Sequence, residues 1–265
     1  MTHNHDKAAA DGTVHISPRY LAASRPTQHQ AHIATFGTAR DWLCRTGAFT
    51  LTATSVCGRV TVHHDQRAEG LGPHLVITAR TGPRAPERWR ADIAGNTPVE
   101  VLATLTTTIA DRLEADPDHL IYGIGPDPDL IAPKVDAHRW DHIEDHGLAG
   151  FQSRDGHAFM IGRPDDSPAP PLLGDESLVW HIGASTAEHG GLWAISFTYQ
   201  TPPVVVNSVL SHTLSPEPVT RPATETVPAA LAPLVTVRAT QPHPGHRHSP
   251  PLDGPPHHPG APRRH

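Results

Sequence analysis

Three histidines have a spacing that would suit metal chelation on a helix. His138, His142 and His146 recur every fourth residue, so a helix would carry all three imidazoles on one face, where two can chelate Zn²⁺ or Ni²⁺. Residues 142–146 read H-I-E-D-H and lack the glutamate position of either metalloprotease pattern. On a helical wheel the histidines lie opposite Trp140, the expected core anchor. The sequence therefore predicts a solvated polar face, with weak metal binding as the alternative.

A second polar group could supply a catalytic base but has no partners. His63, His64 and Asp65 could pair a base with an orienting carboxylate, yet the sequence offers neither a nucleophile nor an oxyanion donor for them. There is no nucleophile elbow, P-loop or dinucleotide fingerprint. We therefore predict no catalytic residue and no cofactor. Cys44 and Cys57 lack metal-ligand spacing and are predicted to be reduced core residues.

Charge and hydropathy exclude several kinds of partner. The 265 residues carry a formal net charge of −6 with 22 histidines, so no global positive field gives a strong nucleic-acid signal. The first residues lack the apolar core of a secretory signal, and no apolar run reaches membrane-spanning length. These features predict a soluble cytoplasmic protein with no membrane partner.

The elements that would position these groups come from an internal repeat. Trp42 and Trp140 have nearly the same separation as Trp89 and Trp193, with an insertion expected around residues 163–171 of the second copy. Each copy ends in a Thr-Pro pair followed by an apolar helical run: Thr97-Pro98 and Thr201-Pro202. We predict that threonine caps each helix and that proline occupies its first turn. Glu100 completes a capping box in the first copy only.

Alternating apolar residues upstream of each helix predict strands. The first copy offers strands with Phe49, Leu51 and Ala53, with Val60 and Val62, with Leu75 and Ile77, and with Trp89 to Ile93. The second offers Phe159 and Ile161, then Leu178 to Ile182, then Trp193 to Phe197. Short polar connections favour an antiparallel meander. The prediction is an α+β fold of two tandem repeats, each with a short helix around Trp42 or Trp140, about four antiparallel strands and a closing helix.

The predicted domain boundaries follow the composition. A flexible N-terminus spans residues 1–15, the first repeat 16–115, a linker 116–137 and the second repeat 138–221. Residues 222–265 are rich in proline and histidine and poor in large apolar side chains, so we predict a disordered tail. A flexible spacer is the favoured role for this tail. Metal buffering through His243, His246, His248, His257 and His258 is the alternative.

Several of these segments resemble the SPDY domain of unknown function, a family of actinobacteria and chiefly streptomycetes. The resemblance rests on Ser17-Pro18-Arg19-Tyr20-Leu21-Ala22, on Trp89 to Glu100, and on Trp193 to Phe197 with Thr201-Pro202 and Pro218-Val219-Thr220-Arg221. It implies one or two copies of the domain per chain, here two between about residues 16 and 221. The family's Ser-Pro-Asp-Gly hairpin reads Ser153-Arg154-Asp155-Gly156 here, and the first copy lacks the aspartate. The resemblance implies no activity, cofactor or catalytic residue.

Two classes of function remain from the sequence. The favoured one is a non-catalytic binding or scaffold protein whose two repeats present a shared groove to an unknown protein partner. The alternatives are an enzyme with an unrecognised site at the repeat junction and a weak histidine-based metal-binding protein. Association with DNA has no residue in its favour.

Overall fold

The computed structural model describes residues 12–68, 73–123, 140–145, 148–162, 178–188, 190–225 and 227–240. Its helices are α1 (Pro26–Ala39), α2 (Val99–Ala115), α3 (Pro117–Tyr122) and α4 (Pro203–Leu214). Its strands are β1 (Thr13–Ser17), β2 (Leu43–Thr46), β3 (Thr50–Thr54), β4 (Val60–Asp65), β5 (Leu75–Arg80), β6 (Glu87–Ile93), β7 (Trp140–Asp145), β8 (Leu148–Ser153), β9 (Ala158–Gly162), β10 (Leu178–Thr186), β11 (Gly190–Thr198), β12 (Val219–Pro222) and β13 (Thr236–Ala239). The chain is α+β. Among the described residues, no helix is both long enough and apolar enough to cross a membrane.

Ten strands form one antiparallel sheet in the order β2-β3-β4-β5-β6-β11-β10-β9-β8-β7. The order rises along the chain to β6 and then falls from β11, so these two strands meet at the centre. Their register places Ile93 opposite Ile195 and Ala91 opposite Phe197. Neighbouring strands connect as meanders on both sides of this central pair, as the short polar connections predict.

The helices cover one face of this sheet. Strand residues alternate between the core and the other face, so Trp89, Ala91 and Ile93 of β6 are all fully buried. Trp193, Ile195 and Phe197 of β11 continue the same core. Helices α2 and α4 contribute Val101, Leu102, Leu105, Ile109, Val205, Val206, Val209 and Leu210 to it. One hydrophobic core thus crosses the middle of the sheet.

A small second sheet joins the two ends of the described chain. Its order is β12-β1-β13, with Ile16 opposite Val219 on one side and Val14 opposite Ala239 on the other. The prediction of disorder from residue 222 is therefore wrong as far as residue 240. A 3₁₀ segment, Ala229–Leu234, and strand β13 occupy this region, and Leu231 is buried. Residues 241–265, with all the histidines of the predicted tail, lie outside the described residues.

The helices expected around Trp42 and Trp140 are also corrected. Trp42 follows the end of α1 and packs edge-on against Phe36 at 5.1 Å between ring centroids. Trp140 is the first residue of β7. Both residues are buried and lead into the two edge strands, β2 and β7. A single tryptophan anchors a strand as well as a helix, so its position alone did not determine the element type.

Two predicted boundaries change, and so does the expected burial of the cysteines. The predicted N-terminal flexible region includes the start of β1, and the predicted linker includes α3, whose Leu120 and Ile121 are fully buried. Residues 1–11, 124–139 and the expected insertion at 163–171 lie outside the described residues. Cys44 and Cys57 are free, as predicted, but both are exposed and do not belong to the core.

The cap of α2 comes from a distant residue. Ser24 Oγ accepts a hydrogen bond of 2.8 Å from the Val99 backbone amide at the first helical residue. The predicted cap, Thr97, is fully buried, and its hydroxyl has no partner among the described residues. Pro98 stands at the N-cap position, and Glu100 binds Arg221 instead of closing a capping box. In the second copy, Pro202 likewise precedes α4 without a side-chain cap.

This arrangement predicts opposite effects for two hydroxyl substitutions. Ser24→Ala removes the acceptor that caps α2 and should lower the free energy of unfolding by about 1 kcal/mol, the usual cost of losing a cap. Thr97→Val removes a buried hydroxyl that has no partner and should leave the stability unchanged or raise it. Urea denaturation of the two variants checks this. A larger loss for Thr97→Val than for Ser24→Ala would contradict the assignment.

Candidate functional site

The predicted histidine stripe does not form on a helix. His142 is exposed on the edge strand β7, where its ring centroid lies 5.4 Å from that of Phe151. His138 and His146 lie outside the described residues. Among the residues that the structure describes, no group of three or more histidine, cysteine, aspartate or glutamate side chains could hold a metal ion. The helical spacing that suggested chelation therefore does not apply to His142.

The His63-His64-Asp65 segment does not assemble a base with its carboxylate. Consecutive strand residues point to opposite faces, so His63 and Asp65 lie on one side of β4 and His64 on the other. His63 Nδ1 lies 3.0 Å from Thr52 Oγ1, whereas His64 is fully buried on the core side. Asp65 accepts a hydrogen bond from the Arg67 amide at 2.9 Å. These three residues are therefore used structurally.

The large sheet has a second face, opposite the helices, to which all ten strands contribute. We call it the open face. Residues paired directly across strands share a face, so one row crosses all ten strands. It consists of Arg45, Thr52, His63, Val76, Asp92, Ser196, His181, Ile161, Gly150 and Ile143. Most side chains of this row are half-exposed or exposed.

A polar cluster occupies the centre of the open face, on strands β6, β11 and β10. Arg90 Nε lies 2.8 Å from Asp92 Oδ1, and Arg90 Nη2 donates to Asp92 Oδ2 at 3.0 Å. Ser196 stands directly opposite Asp92, and its Oγ is hydrogen bonded to His181 Nδ1 at 2.8 Å. Side chains from both halves of the sheet thus converge at its centre.

The charges on the open face are mixed. Arg90 is neutralised by Asp92 at 2.8 Å, and Arg45 and Arg80 share the face with Asp65 and Asp141. Hydroxyls and aliphatic side chains fill most of the remaining positions: Thr54, Thr61, Thr78, Val76, Ala194 and Ile161. In the described part of the chain, this surface therefore offers hydrogen bonds and apolar contacts, with arginines and carboxylates interspersed.

A cavity of about 700 Å³ lies between the start of α1, the start of β11 and the segment after β12. Its walls include Arg25 and Gln28 on one side, and Leu192, Glu225 and Leu231 on the other. Gln28 Nε2 donates to Glu225 Oε2 at 2.6 Å. This volume falls within the range of small-molecule sites, and the lining is partly apolar.

Arg221 lines the same cavity, but its guanidinium is fully engaged by the protein. Nε and Nη2 each donate to Glu100 at 2.6 Å, and Nη1 donates to the Ala23 carbonyl at 2.9 Å. Nη2 also donates to the Ala22 carbonyl at 2.7 Å and to Ser24 Oγ at 3.0 Å. These bonds tie β12 to α2 and to the segment after β1. Arg221 therefore stabilises the walls of the cavity and does not present a free cation to a ligand.

A smaller cavity of about 300 Å³ lies beside Tyr20, Trp140 and Asp155. The Tyr20 hydroxyl donates to Asp155 Oδ2, and Asp155 Oδ1 accepts from Ser153 Oγ at 2.5 Å and from the His157 amide at 3.0 Å. Burial opposes ionisation of Asp155, but these hydrogen bonds outweigh it and lower its pKa. Asp155 is therefore a charged turn residue that also anchors Tyr20. In the first copy the corresponding residue is Cys57, whose Sγ lies 3.5 Å from Ser55 Oγ.

The sequence did not single out the residues that matter at the open face. Ser196 and His181 belong to strands that were predicted. Ser196 lies between the buried Ile195 and Phe197, and His181 lies between the buried Trp180 and Ile182. Their polar character at outward positions was a usable signal. Their meeting was not predictable, because it depends on the register of two strands. Arg221 belonged to a segment of the family resemblance, but no local pattern indicated its distant partner Glu100.

Comparison with known proteins gives a family and no relative of known activity. Residues 54–113 and 152–219 each match the SPDY family, described as a domain of unknown function (DUF317). No curated protein and no solved structure matches the chain. The two matches together cover just under half of the chain and include the strands that flank both sides of the central β6–β11 pair. The chain thus carries the SPDY domain of unknown function in two regions.

Proposed function

We propose that this protein is a non-catalytic binding protein and that the open face is its docking surface for a protein partner. The two SPDY regions act as two copies of one unit that share a single sheet. The observation that carries the proposal is the open face itself, a continuous row of side chains across ten strands. The free, exposed Cys44 and Cys57 fit a reducing compartment, so we place the protein in the cytoplasm.

The size of the open face suits a protein partner. Ten strands spaced about 4.8 Å apart, each about five residues long, give a surface of roughly 43 Å by 17 Å, or about 700 Å². A standard protein interface covers about 800 Å² on each partner. The open face therefore has nearly the area of one side of a stable interface.

The chemistry of the open face favours protein over nucleic acid. Phosphate recognition requires several unpaired cations along one surface. Here the central Arg90 is paired with Asp92, and the carboxylates of Asp65 and Asp141 share the face. Threonine hydroxyls and aliphatic groups match the mixed polar and apolar composition of protein interfaces.

Site-specific photo-crosslinking in the cell of origin tests this proposal. A photoreactive amino acid at Thr78, on the open face, should give a discrete adduct with a protein. The same group at Ser211, exposed on α4 in the helical layer, is the matched control and should give none. Ser196→Arg places a bulky charge at the centre of the open face and should weaken the adduct about tenfold, which corresponds to about 1.4 kcal/mol.

Two results would contradict docking of a protein at the open face. One is equal crosslinking from Thr78 and Ser211. The other is a Thr78 adduct that nuclease removes, since that would identify nucleic acid as the partner.

An enzyme at the junction of the two halves is the second candidate. The hydrogen bond of 2.8 Å between Ser196 and His181, with Asp92 opposite Ser196, favours it. However, Asp92 is bound by Arg90, and the described residues assign no oxyanion donor to Ser196. A serine-reactive fluorophosphonate probe that labels the wild type but not Ser196→Ala would favour the enzyme over the binding protein.

A further inference from the structure

Helix α1 is attached to the sheet through a group of buried histidines. His29 on α1 and His64 on β4 are both fully buried, and His74, which precedes β5, is half-buried. His32, one turn after His29, lies with its Nε2 3.0 Å from Thr106 Oγ1 of α2. Residues from α1, β4, the start of β5 and α2 therefore meet at this point.

The ring nitrogens of this group have few partners. His29 Nε2 donates to the Thr97 carbonyl at 2.6 Å, which leaves Nδ1 buried without a partner. His64 lies beside the Pro26 carbonyl, but neither of its ring nitrogens makes a hydrogen bond of normal geometry in the described part of the chain. His74 Nδ1 is likewise buried and unpartnered. A proton added to His29 Nδ1 would find no hydrogen-bond acceptor among the described residues. The Pro26 carbonyl beside His64 is not placed for a normal hydrogen bond.

We propose that His29 and His64 form an acid-sensitive attachment that holds α1 on the sheet while their rings are neutral and releases it when they take up protons. This proposal is independent of the docking role of the open face, because His29 and His64 lie on the helical side of the sheet. It assigns these residues a conformational role in addition to packing.

The groups that face the histidines do not compensate a positive charge. The Thr97 and Pro26 carbonyls and the Thr106 hydroxyl are neutral. Asp65 acts on His64 but is oriented to the opposite face of β4, where the Arg67 amide binds it at 2.9 Å. His32, which is also partly buried, adds further repulsion to His29 once it is protonated. His63 and His74 bring no carboxylate to the group. Each proton taken up therefore makes the next one more costly and separates the elements.

The direction of the pH dependence follows from burial. Desolvation lowers the pKa of His29 from 6.5 to about 4, and it also lowers the pKa of His64 and of His32. When α1 detaches, these rings regain ordinary pKa values and bind protons that the closed form does not. The attached form is therefore fully stable above about pH 6.5 and loses stability as the pH falls from 6.5 toward 4.

Trp42 provides the readout for release of α1. It is buried against Phe36 of α1, with the ring centroids 5.1 Å apart. Trp180 is buried on β10, in the second half of the sheet, and serves as the reference. Fluorine NMR of the full chain labelled with fluorotryptophan resolves the two, with Trp42→Phe and Trp180→Phe assigning the signals.

We expect the Trp42 signal to move to a solvent-exposed position between pH 6.5 and 4, while the Trp180 signal stays in place. His64→Leu and His29→Gln should each reduce the proton uptake of this transition by about one. His142→Gln, exposed on β7 at the other edge of the sheet, is the control and should leave the transition unchanged. A Trp42 signal that stays fixed over this range, or that moves together with Trp180, would overturn the proposal.

Discussion

Arg221→Ala is expected to destabilise the protein by about 3–5 kcal/mol, the usual cost of breaking a buried ion pair from one side. The Arg221 side chain is 3% exposed, and its partner Glu100 is 24% exposed. Removal of the guanidinium leaves the Glu100 carboxylate partly buried without its cation. It also leaves the carbonyls of Ala22 and Ala23 without their donors. Since a domain of this kind is stable by about 5–15 kcal/mol, the variant should lose a large part of its stability.

Urea denaturation of matched variants checks the value. Arg238→Ala removes an arginine of the exposed strand β13 and should change the stability by less than about 0.5 kcal/mol. The double variant Arg221→Met, Glu100→Leu replaces both charges with apolar groups. It should be more stable than either single replacement, because no uncompensated charge remains. A loss below about 1 kcal/mol for Arg221→Ala would show that the network contributes little to holding β12 against α2.

The sequence predicted elements whose signals are local. Strands β3 to β6 and β10 to β11 follow alternating apolar residues, and α2 and α4 begin directly after the two Thr-Pro pairs. The cap of α2 was missed because the residue that supplies the accepting oxygen, Ser24, lies far from the helix in the sequence. Strand β13 was missed because it is stabilised by pairing with β1, and composition alone does not reveal a distant partner.

Strand β9 shows how an apolar pattern gives the right strand and the wrong face. Phe159 and Ile161 are the apolar pair that predicts this strand, but Ala158, Met160 and Gly162 are the residues that face the core. The Trp180 ring fills the adjoining space, and a Cβ on Gly162 would overlap it. A small inward residue is therefore required there, while the larger side chains lie on the open face. Phe49 is a similar case. It precedes β3 and is 49% exposed, and the Arg67 guanidinium carbon lies 5.0 Å from the centroid of its ring.

The open face could be anticipated only in part. Outward positions of predicted strands indicate which side chains reach it, but the register of β6, β11 and β10 decides which of them meet. The cluster of Arg90, Asp92, Ser196 and His181 depends on that register. The repeat in the sequence indicated two separate units, whereas the shared sheet brings side chains of both halves together at its centre.

The segments that precede the two halves are exchanged between them. The residues before the first half pack on the second half: Trp193 Nε1 donates to the Tyr20 carbonyl at 2.7 Å, and Arg19 Nε donates to the Glu217 carbonyl at 2.6 Å. The residues before the second half pack on the first. Trp89 Nε1 donates to the Leu120 carbonyl at 2.9 Å, and Asp118 lies 3.0 Å from Arg59. Each half thus contains a tryptophan whose indole N–H donates to a carbonyl of the segment that precedes the other half.

We therefore expect that neither half folds alone. Fragments 1–115 and 116–265 should each lack a cooperative unfolding transition, because separation removes the β6–β11 pairing, the common core of α2 and α4, and both exchanged segments. Mixing the two fragments should restore the transition. Circular dichroism during thermal unfolding, with the intact chain as reference, measures this.

Fragment 1–123 is the matched control, because it retains α3 and the carbonyl that binds Trp89. It should be more structured than fragment 1–115, although β6 still lacks its neighbour β11. If fragment 1–115 alone unfolds as cooperatively as the intact chain, the exchange is not needed for folding and the first SPDY region is an independent domain. Loss of folding in both fragments would instead mean that partners should be sought with the intact chain, since the proposed docking surface spans both halves of the sheet.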